Sequence, residues 1–177
     1  MASRSSFAVL NVVGGLCVLG SYAVGLALHP ESRGAVWGDL PASLQPLYTL
    51  CMLLAAAGYF LFTHYVCFAL DTARVRVFGR FGFGAFTALY ALILLPSALW
   101  MPLTFRFIEE GGLPLWIAIR GVLLLVGLAS LALIAAIASA EPRAGSWPRR
   151  TALLGAGLFS LQTALLDALV WPAYFPL

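Results

Sequence analysis

Five long apolar stretches limit what this chain can fold into more than any other feature of its sequence. They cover roughly residues 7–28, 46–70, 81–105, 113–138 and 151–171. Each holds about 20 residues or more, the length that an α-helix needs to cross a hydrocarbon layer of about 30 Å. Because lipid offers no partner to backbone amides, such segments cross a membrane as helices. The sequence therefore predicts an all-α, polytopic membrane protein, a five-helix transmembrane bundle in which residues 1–177 form a single domain.

Composition supports the bilayer as the solvent of this chain. Hydrophobic residues make up 62% of it and charged residues 10%, whereas soluble domains are about half apolar and about a quarter charged. Every basic residue is an arginine, and these arginines are scattered over the connecting loops. A nucleic-acid-binding surface would require a basic patch. The lipid bilayer is therefore a predicted partner, and nucleic acid is not.

The same arginines predict the orientation of the bundle. The N-terminus and the loops after the second and fourth spans share one side and carry seven of them: Arg4, Arg74, Arg76, Arg80, Arg143, Arg149 and Arg150. The opposite side carries only Arg33 and Arg106. Because cytoplasmic loops are enriched in basic residues, the N-terminus is predicted to be cytoplasmic and the C-terminus to lie on the opposite side.

Depth along the spans places several polar and aromatic side chains in the half of the bundle opposite these loops. Trp100 lies near the end of the third span and Tyr48 at the start of the second. Arg120 and Asp167 lie about 10 Å and about 6 Å from that same end, at about 1.5 Å per residue. Charges are costly in a membrane and usually face the bundle interior, so we predict that these two pair directly or share a polar cavity. The alternative is that Arg120 reaches the surface while Asp167 bonds to the backbone or to Gln162.

A proline inside the third span predicts a pocket at this depth. Pro102 follows Trp100 by two residues, and a proline frees a carbonyl one turn earlier and can kink the helix. A kink beside a large aromatic side chain opens space, and apolar pockets with a few polar groups are the usual form of ligand sites. The long first loop, residues 29–45, adds Trp37 on the same side. Trp116 and Trp171 are predicted to be interfacial anchors instead.

Sequence motifs of catalysis are absent from the chain. It contains no GxSxG, no HExxH and no glycine-rich phosphate loop before a helix. Its cysteines and histidines lack metal-ligand spacing. No catalytic residue, no metal site and no required cofactor are therefore predicted, which argues against an enzyme. Glycines such as Gly14, Gly20 and Gly25 on the first span, with residues 55–58 on the second, predict close helix packing within the chain or in a homodimer.

Four short segments occur in an order that is typical of one membrane protein family. WMPLTF, residues 100–105, is similar to its WxPLFF-type segment at the end of the third helix. VWGDLPASLQP (36–46) is similar to its first loop, PLYT (46–49) to its Pro-x-Trp-Thr helix start, and ALLD (164–167) to its Ala-x-x-Asn pattern. The chain thus resembles the TspO family of tryptophan-rich sensory proteins and the mitochondrial translocator protein. Ser97 stands where that family usually has asparagine.

The resemblance implies a five-helix bundle, often dimeric, that binds porphyrin, haem or a sterol-like ligand near its first loop for transport or stress sensing. An arginine there would receive a porphyrin propionate while aromatic rings cover the flat face. The candidate ligand-binding residues are Trp37, Leu40, Tyr48, Thr49, Ser97, Trp100, Pro102, Arg120 and Asp167. Two alternatives stay open. One is a small accessory subunit of a larger membrane complex, and the other is a membrane isomerase or tetrapyrrole-degrading enzyme that uses Asp167 as an acid or base.

Overall fold

Helices dominate the structure, a computed structural model that describes residues 3–142 and 145–175. The five long helices are α1 (Arg4–Leu28), α2 (Gln45–His64), α3 (Gly84–Glu110), α4 (Leu113–Ser139) and α5 (Ser146–Ser160). A 3-10 segment (Pro30–Trp37) follows α1, a π-helical turn (Tyr65–Ala69) extends α2, and a π-helix (Leu161–Val170) with a 3-10 turn (Trp171–Tyr174) extends α5. All five spans are long and apolar enough to cross a membrane. The predicted all-α, five-helix membrane bundle is therefore confirmed, and the chain is an integral membrane protein.

The helices are arranged as a ring around a shared interior. α3 packs against α1 and α4, while α5 packs against α4 and α2. Between α2 and α1, the Tyr59 hydroxyl donates a hydrogen bond of 2.7 Å to Asn11 Oδ1. The order around the ring is therefore α1, α3, α4, α5, α2. α2 and α3 follow one another in sequence but are not neighbours in this ring, and α1 meets α3 while α2 meets α5. Residues distant in sequence therefore meet inside it.

Small residues set the closest helix crossings, and these lie within one chain. Gly58 of α2 faces Gly155 of α5 so closely that a Cβ on Gly58 would meet the Gly155 carbonyl oxygen. A Cβ on Gly25 of α1 would come within 2.6 Å of Met101 Cγ of α3. Gly20 has nothing within 4 Å of the place where its Cβ would be. Gly25 and Gly58 thus allow close intrachain packing, which is one of the two roles that the sequence predicts for such residues.

Two helices extend furthest beyond their predicted spans, α3 at its end and α5 at its start. The third predicted span ends at residue 105, but α3 runs to Glu110, so Arg106 lies in a helix and not in a loop. Arg106 Nε lies 3.1 Å from Glu110 Oε2 one turn later, and such a pair supports a final helical turn. Gly111 and Gly112, with φ of 67° and 102°, end the helix. The fifth predicted span starts at residue 151, whereas α5 starts at Ser146.

Contacts between the loops bring the N-terminus and the arginine-rich loops to one end of the bundle. Arg4 Nη2 donates a hydrogen bond of 2.9 Å to the Leu70 carbonyl oxygen. The backbones of Arg76 and Glu141 exchange hydrogen bonds of 2.7 and 2.9 Å. Arg143 lies outside the described residues. We call this the arginine end; that it faces the cytoplasm stays a prediction.

The buried side chains form two clusters, one toward each end of the bundle. The arginine-end core contains, among others, Phe7, Phe62, Val77, Phe86, Tyr90, Leu133 and Ile137. The aromatic cluster, at the opposite end, contains Leu40, Tyr48, Phe107, Ile119, Leu123, Ala168, Trp171 and Phe175, with Trp37, Trp100 and Trp116 packed against it. The candidate functional site lies in the aromatic cluster.

Candidate functional site

The last span changes its helical form where it enters the aromatic cluster. After Ser160, the chain continues as a π-helix, Leu161–Val170, which we call the π segment. Long π-helices are rare, and π-helical turns often occur at functional sites. Gly127 of α4 allows this segment to approach closely, since a Cβ there would lie 2.9 Å from Ala164 Cα. The wider turn changes which side chains of the segment face the ring interior.

Asp167, in the π segment, accepts two hydrogen bonds on a single oxygen. The Tyr48 hydroxyl of α2 donates to Asp167 Oδ1 at 2.8 Å, and Gln162 Nε2 donates to the same atom at 2.7 Å. These contacts join the second span to the fifth at the end of the bundle opposite the arginine end. They fix the position of a carboxylate that would be costly inside a membrane without partners.

The second carboxylate oxygen of Asp167 remains available. Within residues 3–142 and 145–175, no hydrogen-bond donor reaches Oδ2, and the side chain is only half-buried. Two other polar atoms of the site are buried without a partner in the described part of the chain, Gln162 Oε1 and Trp100 Nε1. The site therefore contains a carboxylate oxygen, an amide oxygen and an indole N–H that have no partner among the described residues.

Tyr48, which bonds to Asp167, belongs to a cluster of packed aromatic rings. Trp171 stacks on Phe175 with ring centroids 4.4 Å apart, and its edge-on contact with Trp100 spans 5.7 Å. Trp171 Nε1 also donates to the Val36 carbonyl oxygen at 2.9 Å, which ties the first loop to the end of the fifth span. Tyr22 of α1 packs against Trp100 at 5.5 Å. Three helices and the first loop thus meet in this cluster.

The structure brings five of the nine predicted site residues together. Leu40 and Tyr48 are buried in the aromatic cluster, and Trp37 and Trp100 pack against it. Trp37 meets the Tyr48 ring edge-on at 5.8 Å, and Tyr48 in turn bonds to Asp167. This grouping does not by itself demonstrate ligand binding, which stays a prediction.

The other four predicted residues are not part of the aromatic cluster. Thr49 is exposed, and its hydroxyl donates to the Gln45 carbonyl oxygen of its own helix at 2.9 Å. Ser97 is half-buried and Pro102 is exposed. Pro102 lies two residues after Trp100, so the two side chains leave α3 in different directions. Pro102 instead borders a cavity of about 370 Å³ between α1 and α3, on the outside of the ring.

Arg120 and Asp167 do not form the direct pair that their depths suggest. Arg120 is half-buried, and no ion pair or hydrogen bond of its side chain occurs among the described residues. Asp167 bonds to Tyr48 and Gln162 instead. Depth along a helix fixes one coordinate only, and the direction around the helix axis decides which side chains meet. The Gln162 contact is the alternative that the sequence left open.

Three residues that shape the site were not predicted as part of it. Gln162 was named only as an alternative partner of Asp167, Trp171 was predicted to be a membrane anchor, and Tyr22 was not singled out. Trp171 follows Asp167 by four residues, and this spacing, typical of neighbours on one helix face, is a signal that could have identified it.

The histidines lie outside this site. His29, at the end of α1, faces Glu109 of α3 with Nε2 and Oε1 3.1 Å apart. His64 is exposed on α2 and packs against Phe68 with ring centroids 5.1 Å apart. Over the described ranges, no group of three His, Cys, Asp or Glu side chains could hold a metal ion.

Comparison with known proteins assigns the chain to a family. The family model of the NnrU protein matches residues 52–165, which is well over half of the chain. The chain belongs to the NnrU family. This is a membrane protein family, in agreement with the five spans. No curated protein and no solved structure matches the chain.

Membership of the NnrU family overturns the resemblance to the TspO family. The matched region includes WMPLTF, residues 100–105, which was the main support for that resemblance. Tryptophan is enriched at membrane interfaces, and proline is tolerated in transmembrane helices. Short aromatic–proline segments therefore recur in unrelated membrane proteins, and four of them in order were insufficient evidence. The ligands and the dimer implied by TspO lose that support.

Proposed function

We propose that this NnrU family protein binds a small, largely apolar molecule that carries a hydrogen-bond donor, with Asp167 as the acceptor. The observation that supports the proposal is the arrangement of the carboxylate. Oδ1 is held by Tyr48 and Gln162, whereas Oδ2 has no donor in the described part of the chain. An ionisable side chain inside a membrane bundle indicates a functional site by default, and this one is oriented before any ligand arrives.

The surroundings of Asp167 define the chemical class of the ligand. Trp37, Trp100 and Trp171 would contact an apolar body, and aromatic residues dominate such contact surfaces. A hydroxyl or amine would donate to Oδ2, so an apolar alcohol, including a sterol-like one, fits the site. A porphyrin fits less well, because its propionates near Asp167 would place like charges together. Arg120 would then have to receive them.

Replacing Asp167 by asparagine tests the proposal with little change in shape. Asparagine keeps one oxygen to accept from Tyr48 and Gln162, but it presents an amide donor where Oδ2 was. A ligand that donates a hydrogen bond then meets a donor. A hydrogen bond to a charged group contributes about 1.5–3 kcal/mol, so we expect its retention to fall by about tenfold or more.

The measurement is mass spectrometry of small molecules that co-purify with the protein in mild detergent. Asp71→Asn is the matched control, because Asp71 lies in the loop after α2 and pairs with Arg74 there. Wild type and Asp71→Asn should retain the same molecule, and Asp167→Asn should lose it while showing an unchanged helical spectrum. Equal retention in all three proteins would contradict the proposal.

A second candidate function, that of a membrane isomerase, rests on the same carboxylate. A general base must be held within hydrogen-bond reach of the proton it removes, with its free oxygen accessible. Asp167 has this form, since one oxygen is fixed and the other is free. The retained molecule should then appear with an isomer of identical mass, and Asp167→Asn should stop the conversion. Recovery of a single unchanged species from wild type would exclude this function.

A further inference from the structure

A second candidate site lies on the outer surface of the ring, between α1 and α3. A cavity of about 370 Å³ opens there, with apolar walls that include Val24 and Gly25 of α1 and Pro102 and Phe105 of α3. This volume falls within the range of about 300–1,000 Å³ that is typical of ligand pockets. We call this cavity the α1–α3 groove. Because both of its walls are membrane-spanning helices, it opens toward lipid.

Charged side chains are gathered at one end of the groove. His29 follows the last residue of α1, and Glu110 is the last residue of α3. Both helices therefore end at this rim, and the ends of spanning helices lie at the level of the lipid headgroups. Arg106 and Glu109 complete the charged lining. The groove thus has an apolar wall at hydrocarbon depth and a charged rim at headgroup depth.

Hydrogen bonding within the rim leaves both an anionic and a cationic group free. Glu109 Oε1 lies 3.1 Å from His29 Nε2, and no hydrogen bond reaches the second carboxylate oxygen from the described residues. Arg106 donates hydrogen bonds to Glu110 through Nε only. Its two terminal nitrogens have no hydrogen-bond partner among the described residues. The Glu109 side chain is 57% exposed, and the Arg106 side chain is 64% exposed. They are three residues apart on one helix, which places their Cβ atoms about 5–6 Å apart.

We propose that the α1–α3 groove binds a phosphatidylethanolamine-type lipid. One acyl chain lies along the apolar wall, the phosphate faces the Arg106 guanidinium, and the ammonium donates to the free oxygen of Glu109. Guanidinium groups bind phosphate through parallel hydrogen bonds, and a primary ammonium supplies three donors. In an ethanolamine headgroup only two methylenes and an ester oxygen separate these charges, so one molecule can reach both side chains.

Headgroup chemistry distinguishes this lipid from the other common ones. A choline headgroup carries the same charges but has no N–H to donate to Glu109. A glycerol headgroup has no positive charge to face the carboxylates of Glu109 and Glu110. The groove should therefore prefer ethanolamine to choline and choline to glycerol. The site does not involve Asp167, so the inference is independent of the proposed function.

The test is native mass spectrometry of the full chain after delipidation and incubation with an equimolar mixture of three lipids. The lipids carry identical acyl chains and ethanolamine, choline or glycerol headgroups. We expect the ethanolamine lipid to be retained about tenfold more than the choline lipid, the effect of one hydrogen bond to a charged group. Equal retention of all three would overturn the proposal.

Two pairs of variants locate the binding in the groove. Glu109→Gln should abolish the preference for the ethanolamine lipid. Its control is Glu31→Gln, which should keep that preference, because Glu31 is exposed and lies outside the groove lining. Val24→Trp should fill the groove and lower the retention of every lipid. Val13→Trp is its control, since Val13 is 55% exposed on the same helix, against 56% for Val24, and lies outside the groove. Wild-type retention in Val24→Trp would place the lipid elsewhere and contradict the inference.

Discussion

The two ends of the bundle bury aromatic side chains in similar ways but treat polar groups differently. In the arginine-end core, the Tyr59 hydroxyl donates to Asn11 at 2.7 Å, and the Tyr90 and Thr63 hydroxyls lie 3.0 Å apart. These are neutral groups that bond to one another. Even Tyr65, whose hydroxyl is buried without a partner in the described residues, is uncharged. The paired polar atoms at this end therefore join helices.

The aromatic cluster instead holds a carboxylate with an oxygen to spare. Tyr48 and Gln162 satisfy Oδ1 of Asp167, but a fold without a ligand would gain nothing from the charge, since an amide could accept the same two bonds. Buried ionisable groups lower stability unless they are fully paired. The comparison suggests that packing at the arginine end determines stability, whereas the aromatic cluster gives up some stability for the ligand binding that we propose.

The largest expected effect is that of Phe62→Ala in the arginine-end core. Phe62 is 0% exposed and contacts the Tyr90 ring edge-on at 5.9 Å. Removing a buried phenyl ring leaves a cavity and costs about 3–5 kcal/mol. Thermal unfolding in detergent should show this loss, while ligand retention per folded molecule stays at the wild-type level.

Phe60→Ala controls for the loss of a phenyl ring from the same helix. Phe60 is 71% exposed, so its replacement should change the free energy of unfolding by about 0.5 kcal/mol or less. If Phe62→Ala abolished retention in protein that is still folded, the two ends would not be separable, and the comparison would fail.

The sequence predicts the fold well because span length and apolar content are properties of single segments. It predicts the candidate site less well, because the site depends on directions around helix axes. Tyr48 and Thr49 are adjacent and both open the second span, yet Tyr48 is buried and Thr49 is exposed. Arg120 and Asp167 share a similar depth but do not pair. The sequence gives depth, whereas only the packed ring shows which side of each helix faces inward.

The π segment is a second feature that the sequence does not predict. It packs against α4 where Ala164 approaches Gly127, a contact between segments far apart in sequence. The continuation of α3 to Glu110 was missed for a simpler reason. Arg106, Glu109 and Glu110 suggest a loop by hydropathy, but charged side chains at headgroup depth are compatible with a helix.

Tyr48→Phe should have an intermediate effect on stability and a clear effect on binding. It removes one of the two donors to Asp167 Oδ1, at a distance of 2.8 Å, and hydrogen bonds to charged groups contribute about 1.5–3 kcal/mol. The carboxylate would keep only Gln162 and lose its fixed direction. We expect a lower unfolding temperature and several-fold weaker ligand retention, measured by co-purification. Retention equal to wild type would show that the orientation of Asp167 is unimportant.

Tyr59→Phe makes the same chemical change at the other end and should have a smaller effect than Tyr48→Phe. It removes the hydrogen bond to Asn11 at 2.7 Å, a neutral interhelical bond of a kind that contributes about 0.6 kcal/mol on average in membrane proteins. Asn11 Nδ2 would still donate to the Phe7 carbonyl oxygen at 2.8 Å, so the α1 backbone contact survives. Unfolding temperature should fall slightly and ligand retention should not change. Both substitutions remove a tyrosine hydroxyl oxygen from α2. If both variants lost ligand retention, the hydroxyls would act through general stability. A loss in Tyr48→Phe alone would indicate that the ligand binds at the Asp167 carboxylate of the aromatic cluster.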